Sequence, residues 1–367
     1  MTPIYDIAVI GGGIMGCATA LRLEAGGRTV AILEKGDLCG GASGVNAGTL
    51  SMQIKRVKLM PYAIKGHAEW EKMGADVGFH KTGGYTLAFN DREAELLHER
   101  MKMKRDAGAD ISFISPEILA EKEPYLAKKI VAASYCPDDG YANSLLTGQY
   151  YRRKIKDCGI HFNEQFDVTY IRSTSEGYEI SSPNKTVVAN RILFAAGGWT
   201  KKLAAMIGVD LPIIARVNTV SVTERPPRLM NSVIGHATGL LTMKQKENGT
   251  ILIGGGWQGK GTPEGGRGTV TLDSLVPNLQ LARFAVPAFS KVRIVRSWTG
   301  FEASVPDFYP LAGKLANKDN AFVLGCVRGG FTIGPYISKL MGDYILGREP
   351  EMPLFDPARK IEEGKLI

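Results

Sequence analysis

Apolar and polar residues along this chain fall into short apolar runs broken by glycine-rich turns. Residues 5–10 form one such run, of a length and composition suited to a strand buried inside a parallel sheet. Three glycines follow, and residues 14–25 then carry apolar side chains at helical spacing until Gly26 and Gly27, a pair that ends helices well. A second apolar run, residues 28–33, completes a strand, turn, helix, strand unit and stops at Glu34. The same buried-strand pattern returns at residues 191–195 and 321–326, the latter followed by a turn at 328–333 and a helical stretch at 334–346. Residues 84–89, 217–223 and 250–254 are strand-like runs alternating with turns, which predicts a mostly antiparallel sheet accompanied by helices.

Composition narrows the possibilities. At 367 residues the chain is long enough for two domains with substantial cores, and 44% apolar against 22% charged residues excludes a disordered protein. No uninterrupted apolar run reaches the ~18 residues a membrane span needs. The first strand begins almost at once and leaves no room for a signal peptide, so the expected location is the cytoplasm. The net charge of +8 comes from lysines and arginines spread along the chain, which reads as solvated surface rather than a nucleic-acid face. Five scattered cysteines (Cys17, Cys39, Cys136, Cys158 and Cys326) lack iron–sulfur or zinc spacing and are expected to be reduced and buried. The histidines show no metal-ligand spacing either, and no metal is expected.

The most specific chemistry lies at the first turn. Gly11, Gly12, Gly13, Ile14, Met15 and Gly16 fit G-x-G-x-x-G between a strand and a helix. Gly11 permits the tight turn, Gly13 lets a pyrophosphate approach the backbone, and Gly16 lets the helix lie close on the strand. The free N–H groups at the helix start, around Ile14 and Met15, then bind the pyrophosphate. Glu34 stands 18 residues after Gly16, at the end of the second strand and next to Lys35, where its carboxylate can accept hydrogen bonds from an adenosine ribose. An acid at this point argues against a ribose 2′-phosphate, which leaves FAD or NAD.

The loop after Glu34 separates those two. Gly40, Gly41, Ala42, Ser43, Gly44, Val45, Asn46, Ala47, Gly48, Thr49 and Leu50 resemble the G-A-S-x-x-N-A-G loop of the D-amino-acid oxidase, glycine oxidase and sarcosine oxidase superfamily. The resemblance implies that Ala42, Ser43, Asn46, Ala47, Gly48, Thr49 and Leu50 lie against FAD. It continues through Phe166, Asp167 and Val168, where relatives lay a valine backbone on the adenine, and through the apolar strand ending at Ala196, Gly197 and Trp199, which passes the pyrophosphate in relatives. It ends in Arg328, Gly329, Gly330, Phe331, Thr332 and Ile333, a turn that would aim a helix N-terminus at the flavin C2 carbonyl and stabilise the charge that develops on reduction. The implied fold is α/β: a Rossmann-like FAD-binding domain of the glutathione-reductase type, with a second α+β domain on a mostly antiparallel sheet. The FAD domain is expected to combine residues 1–79, 141–208 and 300–367, and the substrate domain residues 80–140 and 209–299, roofing the flavin.

Substrate recognition rests on fewer residues. The segment from Trp298 to Pro310 resembles W-x-G-x-R-P-x-x-x-D-x-x-P of glycine oxidase and its relatives, in which the arginine grips the substrate carboxylate, but this chain has Glu302 at that place. A carboxylate cannot bind a carboxylate unless one is protonated. Arg328 resembles the second substrate-facing arginine of glycine oxidase; a surface or phosphate-facing arginine and, for Glu302, a structural salt bridge are the plainer alternatives. Met52 and Trp257 are further candidates for the pocket, or simply packing residues. If Arg328 and Glu302 both face the substrate, it has an anionic and a cationic end, as octopine and nopaline do, and the chain is also similar to the FAD-bearing B subunits of opine oxidases. The expected reaction is oxidation of a secondary amine by hydride transfer to flavin N5, with hydrolysis of the imine to an amino acid and a 2-oxo acid. Dehydrogenation of hydroxyproline, proline, sarcosine or glycine is an alternative, as is a chain that only relays electrons or acts as a scaffold. Leu252 stands where a sarcosine oxidase has an oxygen-activating lysine, and no cysteine occurs near Trp298 to tether the flavin. These departures imply a dehydrogenase with non-covalent FAD, and the resemblance to dehydrogenases that work with companion subunits implies a hetero-oligomer whose other redox subunits supply any FMN or iron–sulfur centre.

Overall fold

The computed structural model describes residues 4–364. They divide into two compact units, one built from residues 4–45, 144–216 and 301–364, the other from Asn46–Asn143 and Val217–Gly300.

The first unit is organised by five strands lying side by side in parallel: His161–Asn163, Val30–Leu33, Ile4–Ile10, Thr186–Phe194 and Ala321–Gly325. Their apolar composition follows from burial on both faces; Ala8, Val9, Ile32 and Val323 are completely inaccessible. Register brings the strand ends together, with Ile10 opposite both Leu33 and Phe194, and Phe194 opposite Val323. The turns after residues 10, 33, 194 and 325 therefore open at one end of the sheet, where open α/β sheets bind ligands. Antiparallel strands Tyr178–Ser181, Tyr170–Ser173 and Leu311–Lys314 enlarge this sheet to eight strands. Helices Ile14–Glu24 and Gly330–Ile345 pack closely, because Gly342 leaves room for the stem of Arg22, whose guanidinium reaches Asp343 at 2.8 and 2.5 Å. The second of these helices begins at Gly330, so Gly330 to Ile333, expected as a turn, form its first turn instead. Gly329 makes this possible by capping the helix at φ +65°, a backbone angle that costs glycine nothing.

The second unit holds an eight-stranded sheet in the order Ile294–Ser304, Ile214–Thr223, Ile251–Gly254, Thr242–Gln245, Val233–His236, Gly84–Ala88, Ala132–Cys136 and Ser112–Ile114. Its pairings from Ile214–Thr223 onward are antiparallel except Val233–His236 with Gly84–Ala88. Helix Leu272–Ala285 covers it, burying Ala282 and Ala285 against Ile251, Ile253 and Met243. A small sheet of Thr49–Leu50, Gly140–Tyr141 and His80–Lys81 completes the unit.

That small sheet corrects the expected domain limits. Residues 46–79, assigned from the sequence to the FAD domain, belong with the second unit, because Thr49 and Leu50 pair with Tyr141 and Gly140. The buried Asp139 then accepts hydrogen bonds from Ser51 Oγ at 2.5 Å and from the Met52 N–H at 2.6 Å. The limits expected at 140/141 and 208/209 likewise fall at 143/144 and 216/217. One cysteine also departs from expectation: Cys158 is exposed, while Cys17, Cys39, Cys136 and Cys326 are buried free thiols.

Three lysines, Lys55, Lys104 and Lys244, are buried inside the second unit. Lys104 sits on helix Asp91–Asp106, where Met101 and Lys104 are buried and Lys104 Nζ donates to the Gln53 carbonyl. Burial brings its ammonium down to about 8, although the Asp139 charge opposes the shift. Lys244 is 1% exposed, and its Nζ donates to Thr49 Oγ1 at 2.7 Å. Burial, aided by Lys246, brings Lys244 down to about 7 from the usual 10.5.

The folded pKa of Lys244 therefore lies below the unfolded value, so the unfolded chain binds more protons between about pH 7 and 10.5, and stability from this group rises across that window. Lys244→Met should be more resistant to urea than the parent at pH 7, with a gap that narrows steadily as the pH approaches 10. Equilibrium unfolding of both proteins at several pH values checks this; a constant gap would show that Lys244 keeps its ordinary pKa.

Candidate active site

The nucleotide cradle forms at the open end of the parallel sheet. A Cβ at Gly11, where φ is +108°, would stand 2.5 Å from the Ala195 carbonyl oxygen and 2.7 Å from Ala196 Cα. A Cβ at Gly16 would collide with the Gly11 carbonyl oxygen. Both glycines are therefore demanded by close backbone approach, one between neighbouring strand ends and one between strand and helix. Gly13 caps helix Ile14–Glu24 without a side-chain bond, and the first turn contains no acid. The Ile14 N–H donates to Ser43 Oγ at 3.0 Å, which brings the Ala42 and Ser43 end of the glycine loop onto the helix start.

Glu34 spans the cradle. Its Oε2 accepts from the Gly12 N–H and its Oε1 from the Gly36 N–H, both at 2.7 Å, fixing the carboxylate at the end of its strand. Burial raises its pKa while those two N–H groups oppose the shift. Lys35 turns outward and pairs with Asp167 at 3.4 Å. Val168 is buried in the core beside Phe166, whose N–H donates to the Glu34 carbonyl at 2.8 Å. Gly197, at φ +53°, has no atom within 4 Å of its Cβ direction, and Trp199 packs edge-on against Phe301 at 5.5 Å.

The C-terminal helix meets the same cradle. A Cβ at Gly330 would lie 3.1 Å from Met15 Cε, and one at Gly334 3.6 Å from Ile14 Cγ2. Phe331 is half-buried, while Thr332 and Ile333 are buried. Glu302 Oε1 accepts the Gly329 N–H at 2.7 Å, so this carboxylate holds the left-handed residue that starts the helix. Arg328, immediately before it, is half-buried; burial lowers its pKa, with Glu302 opposing and Arg216 adding to the shift. The structure thus gathers Gly11, Gly13, Ile14, Met15, Gly16, Glu34, Ser43, Ala196, Gly330, Glu302 and Arg328 in the first unit.

Other candidates belong to the second unit. Asn46 Oδ1 accepts from the Gly48 N–H at 2.6 Å, and Gly48 lies so close to the Ala142 carbonyl that no Cβ fits. Ala47 is half-buried, Thr49 accepts the Lys244 ammonium, and Leu50 is wholly buried. Met52 is 2% exposed, held by Asp139, and Trp257 Nε1 donates to the Leu240 carbonyl at 2.7 Å. Lys244, Asp139 and Arg216 carried no signal in the sequence. A lysine in a strand pattern reads as solvent-facing, and Asp139 sits in a Pro-Asp-Asp-Gly stretch that looks like plain turn chemistry.

A parallel sheet with a G-x-G-x-x-G turn, an acid ending its second strand and a second glycine-started helix on the same cradle defines a dinucleotide-binding flavoprotein fold. Residues 6–344 match the sequence profile of the DAO group of FAD dependent oxidoreductases, and the chain belongs to that family. It is 27% identical to a glycine oxidase of Geobacillus kaustophilus over 96% of each chain, and 26% identical to the opine oxidase B subunit of Rhizobium meliloti over 88% of this chain and 89% of that one. The crystal structure of glycine oxidase from Geobacillus kaustophilus superposes with a TM-score of 0.88 at 25% identity, covering 98% of this chain and all of that one. L-proline dehydrogenase from P. horikoshii shares the fold, with a TM-score of 0.89 at 22% identity and coverage of 97% and 98%. The chain is an FAD-dependent oxidoreductase that acts on amines or amino acids. No helix among the described residues is long and apolar enough to cross a membrane.

Gly16→Ala should lose most of its FAD during purification, because the helix start must retreat from the Gly11 carbonyl. Gly265→Ala, whose Cβ would make only ordinary contacts with Thr262 at 3.5 and 3.8 Å, should keep the parent flavin-to-protein absorbance ratio. Equal retention by the two variants would show that close helix approach does not govern FAD binding.

Proposed function

We propose that this enzyme oxidises the secondary amine of an opine of the octopine or nopaline type, with FAD held non-covalently. The observation that carries the reading is the placement of Glu302 beside Arg328. The carboxylate is bonded to the residue next to the arginine, giving a negative and a positive group at the start of one helix. An arginine and a carboxylate this close suit a ligand with an anionic and a cationic end. Similarity to the opine oxidase B subunit along 88% of this chain supports the same substrate class.

FAD, when bound, supplies a two-electron acceptor for hydride from the carbon beside the amine nitrogen. Gly11, Gly13, Gly16 and Glu34 would hold its pyrophosphate and ribose, and the N–H groups of Gly330 and Phe331 at the helix start would face growing negative charge. Arg328 anchors a substrate carboxylate and Glu302 attracts the cationic end, so that the amine is oriented as its neutral form. Water completes hydrolysis of the imine to an amino acid and a 2-oxo acid. The opine relatives are themselves named as one subunit of an oxidase, which supports companion redox subunits that take the electrons onward. Oxidation of glycine, sarcosine, proline or hydroxyproline is a second reading, supported by the similarity to glycine oxidase.

Anaerobic addition of octopine or nopaline should bleach the flavin absorbance of the holoenzyme, while glycine, sarcosine and hydroxyproline leave it oxidised. Bleaching by glycine or a proline derivative alone would overturn the opine reading in favour of the second.

A further inference from the structure

The turn between strands Val233–His236 and Thr242–Gln245, in the second unit, is held by an imidazole. His236 ends the first of these strands, and its Nδ1 accepts the Thr238 N–H at 3.1 Å and the Gly239 N–H at 2.8 Å. A ring nitrogen that accepts two backbone N–H groups carries no proton, so the imidazole is neutral with its hydrogen on Nε2. The ring is kept from turning away: its side chain is 7% exposed and stacks on Phe89 with centroids 5.2 Å apart. Glycine is required at 239, because a Cβ there would stand 3.2 Å from the same Nδ1 and 2.7 Å from Leu281 Cδ2. At the far side of the turn the Leu240 carbonyl accepts from Trp257 Nε1 at 2.7 Å, the single donor of that indole, and from Asn278 Nδ2 at 3.3 Å.

The charged groups near the ring are already engaged. Glu93, on helix Asp91–Asp106, has Oε2 3.9 Å from His236 Nε2, but that oxygen accepts the Phe89 N–H at 2.8 Å and Oε1 accepts the Thr238 hydroxyl at 2.6 Å. Arg100, on the same helix, donates to the Ala237 carbonyl at 2.7 Å. Lys129 holds its ammonium 3.3 Å from the centroid of Phe284, which packs on Phe89. Helix Leu272–Ala285 brings Leu281 and Asn278 to the turn, neither of them charged.

We propose that His236 is a pH-sensitive latch: as the neutral ring it closes the turn 238–241, and on taking a proton at Nδ1 it releases the turn and, through Leu240, the indole of Trp257. A proton on Nδ1 would point at two N–H groups, so that three donors converge with no acceptor. Ala237 stays tied to the Leu87 carbonyl at 2.9 Å and to Arg100, which confines the movement to residues 238–241. Burial lowers the His236 pKa from its ordinary 6.5, with Glu93 opposing, and the two accepted N–H groups act in the same direction as burial. The latch therefore contributes its full stability above pH 6.5 and loses it as the pH falls below that value.

The test labels the holoenzyme with 5-fluorotryptophan and follows the fluorine resonance of Trp257, assigned with Trp257→Phe, from pH 8 to pH 5. The resonance should shift with a midpoint below 6.5 and return when the pH is raised. His236→Asn puts Oδ1 where Nδ1 accepts and takes up no proton in this range, so its Trp257 resonance should keep the parent's pH 8 position throughout. A resonance that stays still in the parent, or moves equally in His236→Asn, overturns the latch. A second measurement needs no variant: the long-range nitrogen-15 spectrum of the histidine rings should contain one ring that is unprotonated at Nδ1 at pH 8 and gains its proton with the same midpoint as the Trp257 shift. If no histidine titrates at that midpoint, the latch is overturned as well.

Discussion

The first unit depends on the close approach of a helix to a strand. Gly16 sits so near the Gly11 carbonyl that any side chain there would push the helix away. Because the helix cannot retreat, its N-terminal N–H groups open at the height where the parallel strands end. Gly11 is closed in from the opposite side by Ala195 and Ala196, so the turn is held between two neighbours. Glu34 closes the arrangement by accepting the Gly12 N–H, and Ser43 accepts that of Ile14. The backbone course of this turn is thus set by packing, before any ligand is considered.

The C-terminal helix repeats this logic with an added charge. Gly329 takes a left-handed conformation, and Glu302 fixes its N–H. In the sequence pattern that the chain otherwise resembles, an arginine stands at this place. With an acid there instead, Glu302 bonds the Gly329 N–H beside Arg328, and under the reading proposed above the two offer opposite charges to a substrate. A negative group at a helix start is favourable for the helix itself.

The second unit carries polar groups where an apolar sheet would be cheaper. Asp139, Lys104 and Lys244 are buried, and each touches the segment from Thr49 to Gln53. Desolvation of these groups costs stability, and their hydrogen bonds to the segment offset part of that cost. The result is a loop with a fixed backbone course in a region that, read as sequence, looks like flexible glycine-rich connection.

Much of the fold was legible in the linear pattern because its cause is local. A strand buried on both faces must be apolar, a helix must repeat its apolar stripe, and a turn that meets a pyrophosphate must be glycine; residues 5–34 carry all three signals within one short stretch. The strand, glycine turn and helix, with Glu34 ending the next strand, were therefore readable from the chain alone. What required the tertiary structure was everything decided by partners far away in the chain. Residues 46–79 joined the second unit because Leu50 pairs with Gly140, ninety positions distant. Lys244 became an interior cation because it found Thr49, and Glu302 became a helix-start ligand because Gly329 came within reach. Arg216 gave no sign of burial in the sequence, since an arginine in a strand reads as solvent-facing, yet its Nε is shut off from solvent with no acceptor. Periodicity reports which face of an element is covered, and the identity of what covers it is settled only when the chain has folded.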